Sequence, residues 1–96
     1  MGKRPCVYIL ASKCKGTLYV GVTSDLRKRV WTHQTGAVDG FTKPHSVHMV
    51  VYFELHATMA TAIERERQLK KWYRRWKLEV VEEANPEWED LASHVA

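Results

Sequence analysis

Five side chains in this sequence have the chemistry of phosphate handling: Tyr8, Tyr19, Arg29, His33 and Glu66. A phenol relays a proton, orients a water or packs in a core. A guanidinium is a permanent forked cation suited to a phosphate. An imidazole titrates near neutral pH, and a carboxylate can hold a hard cation. Tyr8 lies in the apolar stretch 6–11 and Tyr19 in the stretch 17–22, with a turn between them. Their numbers differ by an odd amount, as do those of opposed residues in an unbulged antiparallel hairpin closed by an even number of loop residues. Both rings are therefore expected on one face of the hairpin. An aromatic pair in the core is the plainer reading of the same placement.

The other three sit on helical patterns. At about 100° per residue, Leu26 and Val30 mark the inner side of a first helix, with Arg29 and His33 beside it and one turn apart. For His33 the plain alternative is a satisfied histidine at a helix end. In a second helix Met59, Ala62, Ile63, Leu69 and Tyr73 form an apolar stripe, and Glu66 projects into the middle of it, while Glu64 falls on the opposite side. A carboxylate on a core-facing stripe costs several kcal/mol (roughly 3–5) unless a cation, an arginine or a proton compensates it. Two readings stay open for Glu66: a ligand beside a pocket, or a solvated or arginine-paired group at the mouth of the core.

The elements that must carry these residues follow from local signals. Residues 6–11 and 17–22 read as strands rich in β-formers, joined by a turn at 12–16. Thr23 or Ser24 caps a helix to about Gln34, with Asp25 in its first turn. Residues 35–46 read as a loop and 47–55 as a third strand. Thr58 caps a long helix to about Tyr73, and a further helix runs from about Arg75 to Ala84, stopping before Asn85-Pro86. The order ββαβαα predicts an α+β fold, a small three-stranded antiparallel sheet flanked by helices. The 96 residues are expected to form a single domain over 1–96, with a core of about 5–84 and an acidic extension over 85–96.

Composition narrows the class. The chain is 45% hydrophobic with a formal charge of +4, which suits an ordinary globular domain too short for a Rossmann enzyme or a barrel. No apolar run approaches a membrane span, and the stretch behind the basic N-terminus is too short for a signal peptide, so a cytoplasmic location and no membrane partner are expected. Cys6 and Cys14 make neither a disulfide framework nor a zinc pattern; the first reads as a buried strand residue and the second as a turn residue. All 15 Lys and Arg lie before residue 79, while six acids and no Lys or Arg lie from residue 79 onward. A basic body with an acidic end suits a polyanion partner.

The quoted residues resemble a known family. Val7-Tyr8, then Tyr19-Val20-Gly21, then Thr23-Ser24-Asp25-Leu26 with Arg29 and His33, and Glu66 in a long helix are similar to the GIY-YIG nuclease domain. The chain looks most like its small UPF0213 members, sharing Gly40-Phe41-Thr42-Lys43, the run from Glu66 to Trp72, and Asn85-Pro86-Glu87-Trp88. The resemblance spans about residues 5–92. It implies a metal-dependent endonuclease that hydrolyses phosphodiester bonds, here of DNA, including structured or damaged forms. On that resemblance Tyr8 acts on the attacking water, Tyr19 orients water or phosphate, Arg29 holds the scissile phosphate and His33 assists proton transfer. Glu66 then binds one divalent ion, Mg²⁺ or Mn²⁺.

Two departures bear on that expectation. Cys6 stands at the first motif's glycine position, and Val22 stands where some family nucleases carry a lysine after the second motif. Lys43 and Lys70 are candidates to replace that cation. Lys43, Arg65, Arg67, Lys70, Lys71, Arg74 and Arg75, interleaved with Trp72, Tyr73 and Trp76, form a candidate nucleic-acid surface, although Trp72 and Trp76 also suit closure of the core. Affinity would rest on phosphate contacts, which are largely sequence-independent, and specificity on a protein partner. The alternative function is a non-catalytic nucleic-acid-binding or adaptor module on the same scaffold.

Overall fold

The computed structural model describes residues 4–34, 47 and 49–94, without the side chains of 32–34, 93 and 94. Strands β1 (Cys6–Ala11) and β2 (Leu18–Thr23) are followed by helix α1 (Leu26–Gln34), strand β3 (Met49–Leu55), and helices α2 (Met59–Lys71) and α3 (Arg74–Ala84). A short 3-10 turn covers Leu91–His94. The expected order and antiparallel sheet are present, with strand order β2-β1-β3. All six residues of the central strand β1 are buried, as a continuous apolar strand covered on both faces should be.

The two faces of the sheet carry separate cores. Val7, Ile9, Ala11 and Val20 meet Ala62 and Leu69 of α2, Val81 of α3 and Trp88. Cys6, Tyr8 and Leu10 meet Leu26 and Val30 of α1 with Val47 and Val50. α1 lies on one side of the sheet and the buried spine of α2 on the other, so the candidate groups carried by the two helices approach the sheet from opposite faces.

Local capping differs in detail. The Asp25 carboxylate accepts from the Lys28 backbone N–H at 3.2 Å, while the Thr23 hydroxyl accepts from Asp25 N–H at 3.1 Å. Asp25 is therefore the helix cap, since its short carboxylate suits the orphan N–H groups better than the preceding hydroxyls. Thr58 caps α2 as expected, accepting from Thr61 N–H. That helix ends at Lys71, before Tyr73. The expected stripe therefore loses its last member, and Tyr73 is 71% exposed. Met59 and Ile63 lie at the border of the stripe, each 37% exposed.

The segment after residue 84 contributes to the core. Between Ile9 and Leu10 the β1–β3 register shifts, leaving Val51 as an extra residue. Asp90 Oδ1 accepts from Val50 N–H at 3.1 Å, and Asn85 Nδ2 donates to the Val51 carbonyl at 3.0 Å. Those bonds satisfy backbone groups that the bulge withdraws from the ladder. Trp88, 4% exposed and at φ 53°, seals the α2/α3 core, its Nε1 donating to Glu82 at 3.2 Å. Asn85 and Asp90 thus anchor the segment after α3 to β3.

A polar tie joins β3 to α2 on the same face. Glu54 accepts from the Tyr52 hydroxyl, from His56 Nε2 at 2.8 Å and from Arg65 Nε at 3.0 Å. His56 Nδ1 lies 3.0 Å from Thr61 Oγ1. Burial opposes ionisation of Glu54, but the hydrogen bonds from Tyr52 and His56 and the Arg65 charge outweigh it and hold the carboxyl below its usual 4.5. Tyr52, buried and bonded to that carboxylate, is pushed up to about 12.

Two outcomes follow. Trp88→Ala should cost about 3–5 kcal/mol in urea unfolding, the usual range for truncating a buried tryptophan; a loss near zero would remove Trp88 from the core. A carboxyl held below its ordinary value stabilises the fold above the unfolded value, and that contribution disappears as pH falls through the folded value. Wild-type stability should therefore fall more steeply below pH 4.5 than that of Glu54→Gln, as read by unfolding titrations across acid pH. Parallel curves would contradict the tie.

Candidate active site

The hairpin register pairs Tyr8 with Gly21 and Leu10 with Tyr19. Tyr8, Gly21 and Tyr19 consequently share one face, and the two phenol rings lie with centroids 6.4 Å apart, tilted by 37°. A Cβ on Gly21 would fall 2.5 Å from both Cζ and the hydroxyl oxygen of Tyr8. The ring therefore lies sideways across the neighbouring strand, over the place where any other residue would put its side chain. Glycine at 21 is required by that close approach. Tyr8 is 1% exposed. Burial is the largest influence on its phenol, followed by Tyr19 and Arg29; the net effect raises its pKa well above 10.0.

Arg29 comes from α1. Leu26 and Val30 turn inward, Arg27, Lys28 and Arg29 are exposed, and the Arg29 charge favours ionisation of Tyr8. The Glu66 charge acts on the tyrosine from the layer on the other face of the sheet. α2 packs on β1 and on the edge strand β2, so side chains on the β2 flank of the helix stand level with the sheet edge over which Tyr8 extends. The Glu66 side chain is 16% exposed and its charge opposes ionisation of Tyr8. Tyr19, Arg29 and Glu66 thus all act electrostatically on Tyr8. The His33 backbone lies in α1, but its side chain falls outside the described residues, as does Lys43.

Glu66 already has a counter-charge, because Lys70 Nζ stands 3.2 Å from Oε2, one turn along the helix. Sequence spacing carried that pair, and it answers part of the question raised by a carboxylate on the apolar stripe. No cluster of three or more His, Cys, Asp or Glu side chains capable of holding an ion occurs among the described residues. A single, mostly covered carboxylate suits a hard divalent ion that keeps most of its own waters.

The candidate nucleic-acid cations divide by their present partners. Arg67, Lys71 and Arg75 are exposed. Arg65 bonds Glu54 and stands 5.1 Å over the Trp72 ring. Arg74 Nη2 donates to the carbonyl oxygens of Lys15 and Gly16, tying the β1–β2 turn to the start of α3. Trp72 packs partly against the core, whereas Trp76 is 41% exposed and meets Tyr73 edge-on at 5.2 Å. Cys6 is buried, its thiol pushed up to about 11 by desolvation first of all, and Cys14 is exposed.

The comparisons with known proteins agree with this fold. The model of the GIY-YIG catalytic domain matches residues 4–79, and the chain belongs to that family. Within it, the chain is similar to UPF0213 proteins. It is 35% identical over 88 residues to one from Bacillus pumilus, covering 91% of this chain and 90% of that one. It is 36% identical over 77 residues to one from Staphylococcus saprophyticus, covering 79% and 94%. The solution NMR structure of a UPF0213 protein from Bacillus halodurans superposes with a TM-score of 0.57 at 25% identity, covering 91% of this chain and 92% of that one. The GIY-YIG family is one of nucleases, generally dependent on a divalent metal. No helix among the described residues is long and apolar enough to cross a membrane.

Gly21→Ala tests the packing of the pair. The added methyl should displace the Tyr8 ring and cost about 1–3 kcal/mol, as overpacking of a tight core does. The shift is read in the aromatic NMR signals of Tyr8 and in urea unfolding. Unchanged ring signals would mean that Tyr8 does not lie across β2.

Proposed function

We propose that this protein is a metal-dependent endonuclease that hydrolyses phosphodiester bonds in nucleic acid, DNA being the substrate its basic surface suits. The observation that carries the reading is the buried Tyr8 phenol lying over Gly21, with Tyr19 beside it and the charges of Arg29 and Glu66 acting on it from opposite sides. A phenol raised above its ordinary pKa keeps its proton at neutral pH. Tyr8 therefore serves as a relay: its oxygen takes up a proton from the attacking water as its own proton passes toward His33. Tyr19, half-buried at the rim of the pair, orients that water or a phosphate oxygen.

Arg29 supplies the forked cation for the scissile phosphate, where it neutralises charge that grows as the water oxygen bonds to phosphorus and the ester P–O bond breaks. His33, one turn further along α1, is the candidate to return a proton to the departing oxygen. Glu66 would hold a divalent ion, Mg²⁺ or Mn²⁺, which when bound supplies Lewis-acid stabilisation of the phosphate and the leaving oxygen. Lys43, Arg67, Lys70, Lys71 and Arg75 are the candidate backbone contacts, with Arg65 and Arg74 contributing from positions already anchored to the fold. Contacts of that kind give sequence-independent, salt-sensitive binding.

A second reading, a non-catalytic nucleic-acid-binding module, is favoured by one observation: Lys70 already occupies one oxygen of Glu66 at 3.2 Å. In that case the ion pair is structural and the scaffold binds without turnover.

The two are separated by incubating supercoiled plasmid, branched DNA and RNA with Mg²⁺ or Mn²⁺ and comparing wild type with Glu66→Ala and Arg29→Ala. The nuclease reading predicts cleavage by wild type and losses of about 10²–10³-fold or more in each variant, the scale set by removing one preorganised charge-stabilising group. Salt-sensitive binding with no cleavage under any metal would leave the binding module.

A further inference from the structure

The polar tie between β3 and α2 lies on the face of the sheet opposite the tyrosine pair and touches none of the candidate reacting groups. Its geometry nevertheless bears on one of them. Glu54 pairs in register with Val7 and so points under α2. It takes hold of Arg65, while its neighbour His56 takes hold of Thr61, one helical turn earlier. Trp72, under the Arg65 guanidinium at 5.1 Å, closes the same flank.

On a helix advancing about 100° per residue, Thr61, Arg65 and Trp72 fall within about 40° of one another. Glu66 and Lys70 fall on the opposite flank, toward β2. Between the flanks runs a buried spine of only two residues, Ala62 and Leu69. A spine that narrow, one member of it a methyl group, opposes rolling of the helix weakly. The bonds on the β3 flank supply the missing restraint.

We infer that Glu54 is a positioning residue for Glu66: by holding Arg65 and, with His56, fixing the roll of α2, it sets where the next carboxylate stands relative to Tyr8. The inference rests on the reading of Glu66 given above. The lever is large enough to matter. A roll of about 10° moves a carboxylate about 6 Å from the helix axis by about 1 Å. A misplacement of about 1 Å at a reacting centre costs on the order of 10²-fold in rate. The Tyr52 hydroxyl on the second oxygen of Glu54 keeps the carboxylate from rotating away from Arg65.

The test measures Mn²⁺ binding directly, by the loss of the free-ion electron paramagnetic resonance signal, at a temperature where every variant is folded, together with cleavage at fixed metal. Glu54→Ala should raise the Mn²⁺ dissociation constant about tenfold or more, as loss of a residue that orients a ligand does. Cleavage should fall in parallel. Glu54→Gln, which keeps the shape and one acceptor oxygen, should lie between Glu54→Ala and wild type. Val81→Ala, a core truncation in α3, should lower stability while leaving Mn²⁺ affinity at the wild-type value.

Wild-type affinity in folded Glu54→Ala, or an equal loss in Val81→Ala, would overturn the positioning role. If Glu54→Ala does not fold, Glu54→Gln decides, and unchanged affinity there overturns it. Glu66→Ala separates the two levels of the argument. If Glu66→Ala binds Mn²⁺ as wild type does, the ligand assignment fails; if Glu66→Ala abolishes binding and the Glu54 variants do not weaken it, the positioning role alone fails.

Discussion

The ring of Tyr8 lying across Gly21 is the contact on which the rest of the site depends. A tyrosine in the middle strand of a three-stranded sheet has helices or strands on every side. Its hydroxyl can reach an edge only by crossing a neighbouring strand, and the crossing is possible only where that strand has no side chain. Glycine at 21 opens the passage, and the odd offset between the two strand tyrosines places the second ring at its rim. Burial then settles the protonation state of Tyr8. With little water to solvate a phenolate, the neutral form prevails despite the nearby guanidinium.

The same constraint explains why the functional groups come from both faces of the sheet. The tyrosine pair and α1 form one layer, which delivers Arg29 from the rim of its buried face. The layer of α2 and α3 lies behind, and the β2 flank of α2 is the part of it nearest the edge toward which the buried phenol extends. Glu66 occupies that flank, and the bonds made by Glu54 and His56 on the other flank hold the helix against rolling. The C-terminal segment completes the frame: Asn85 and Asp90 satisfy the bulge in β3, and Trp88 fills the core under α3. Much of the polar bonding in this small domain serves to hold its helices at fixed positions on the sheet.

The strands, helices and their order were legible because each carries an unambiguous local signal: β-branched runs bounded by turns, Thr58 before α2, Asn85-Pro86 after α3. The shared face of Tyr8 and Tyr19 was legible because strand alternation is a matter of parity. The side of the sheet taken by each helix was not, since an apolar stripe shows that a helix is buried and not what covers it. Glu66 looked like a charge in the middle of a stripe because the projection treated Met59, Ile63 and Tyr73 as equal members. In the fold the stripe narrows to Ala62 and Leu69, and the carboxylate stands at its border with Lys70 beside it. The roles of Glu54 and Asp90 depend on contacts across 11 and 40 residues, and no local pattern announces them. A glutamate ending an apolar strand and an arginine inside a helix stripe were the available hints of the Glu54–Arg65 tie.

The most direct measurement of the central claim is the alkaline titration of Tyr8, followed by NMR of ¹³C-labelled tyrosine ring carbons. The account places Tyr8 between an arginine charge that favours its ionisation and a glutamate charge that opposes it, in a site dry enough to raise it above 10.0. Tyr8 should therefore titrate above the ordinary phenol range, move further up in Arg29→Gln and move down in Glu66→Gln. A normal titration that neither substitution shifts would mean that the three groups do not share a site, and the hydrolytic reading would fall with it.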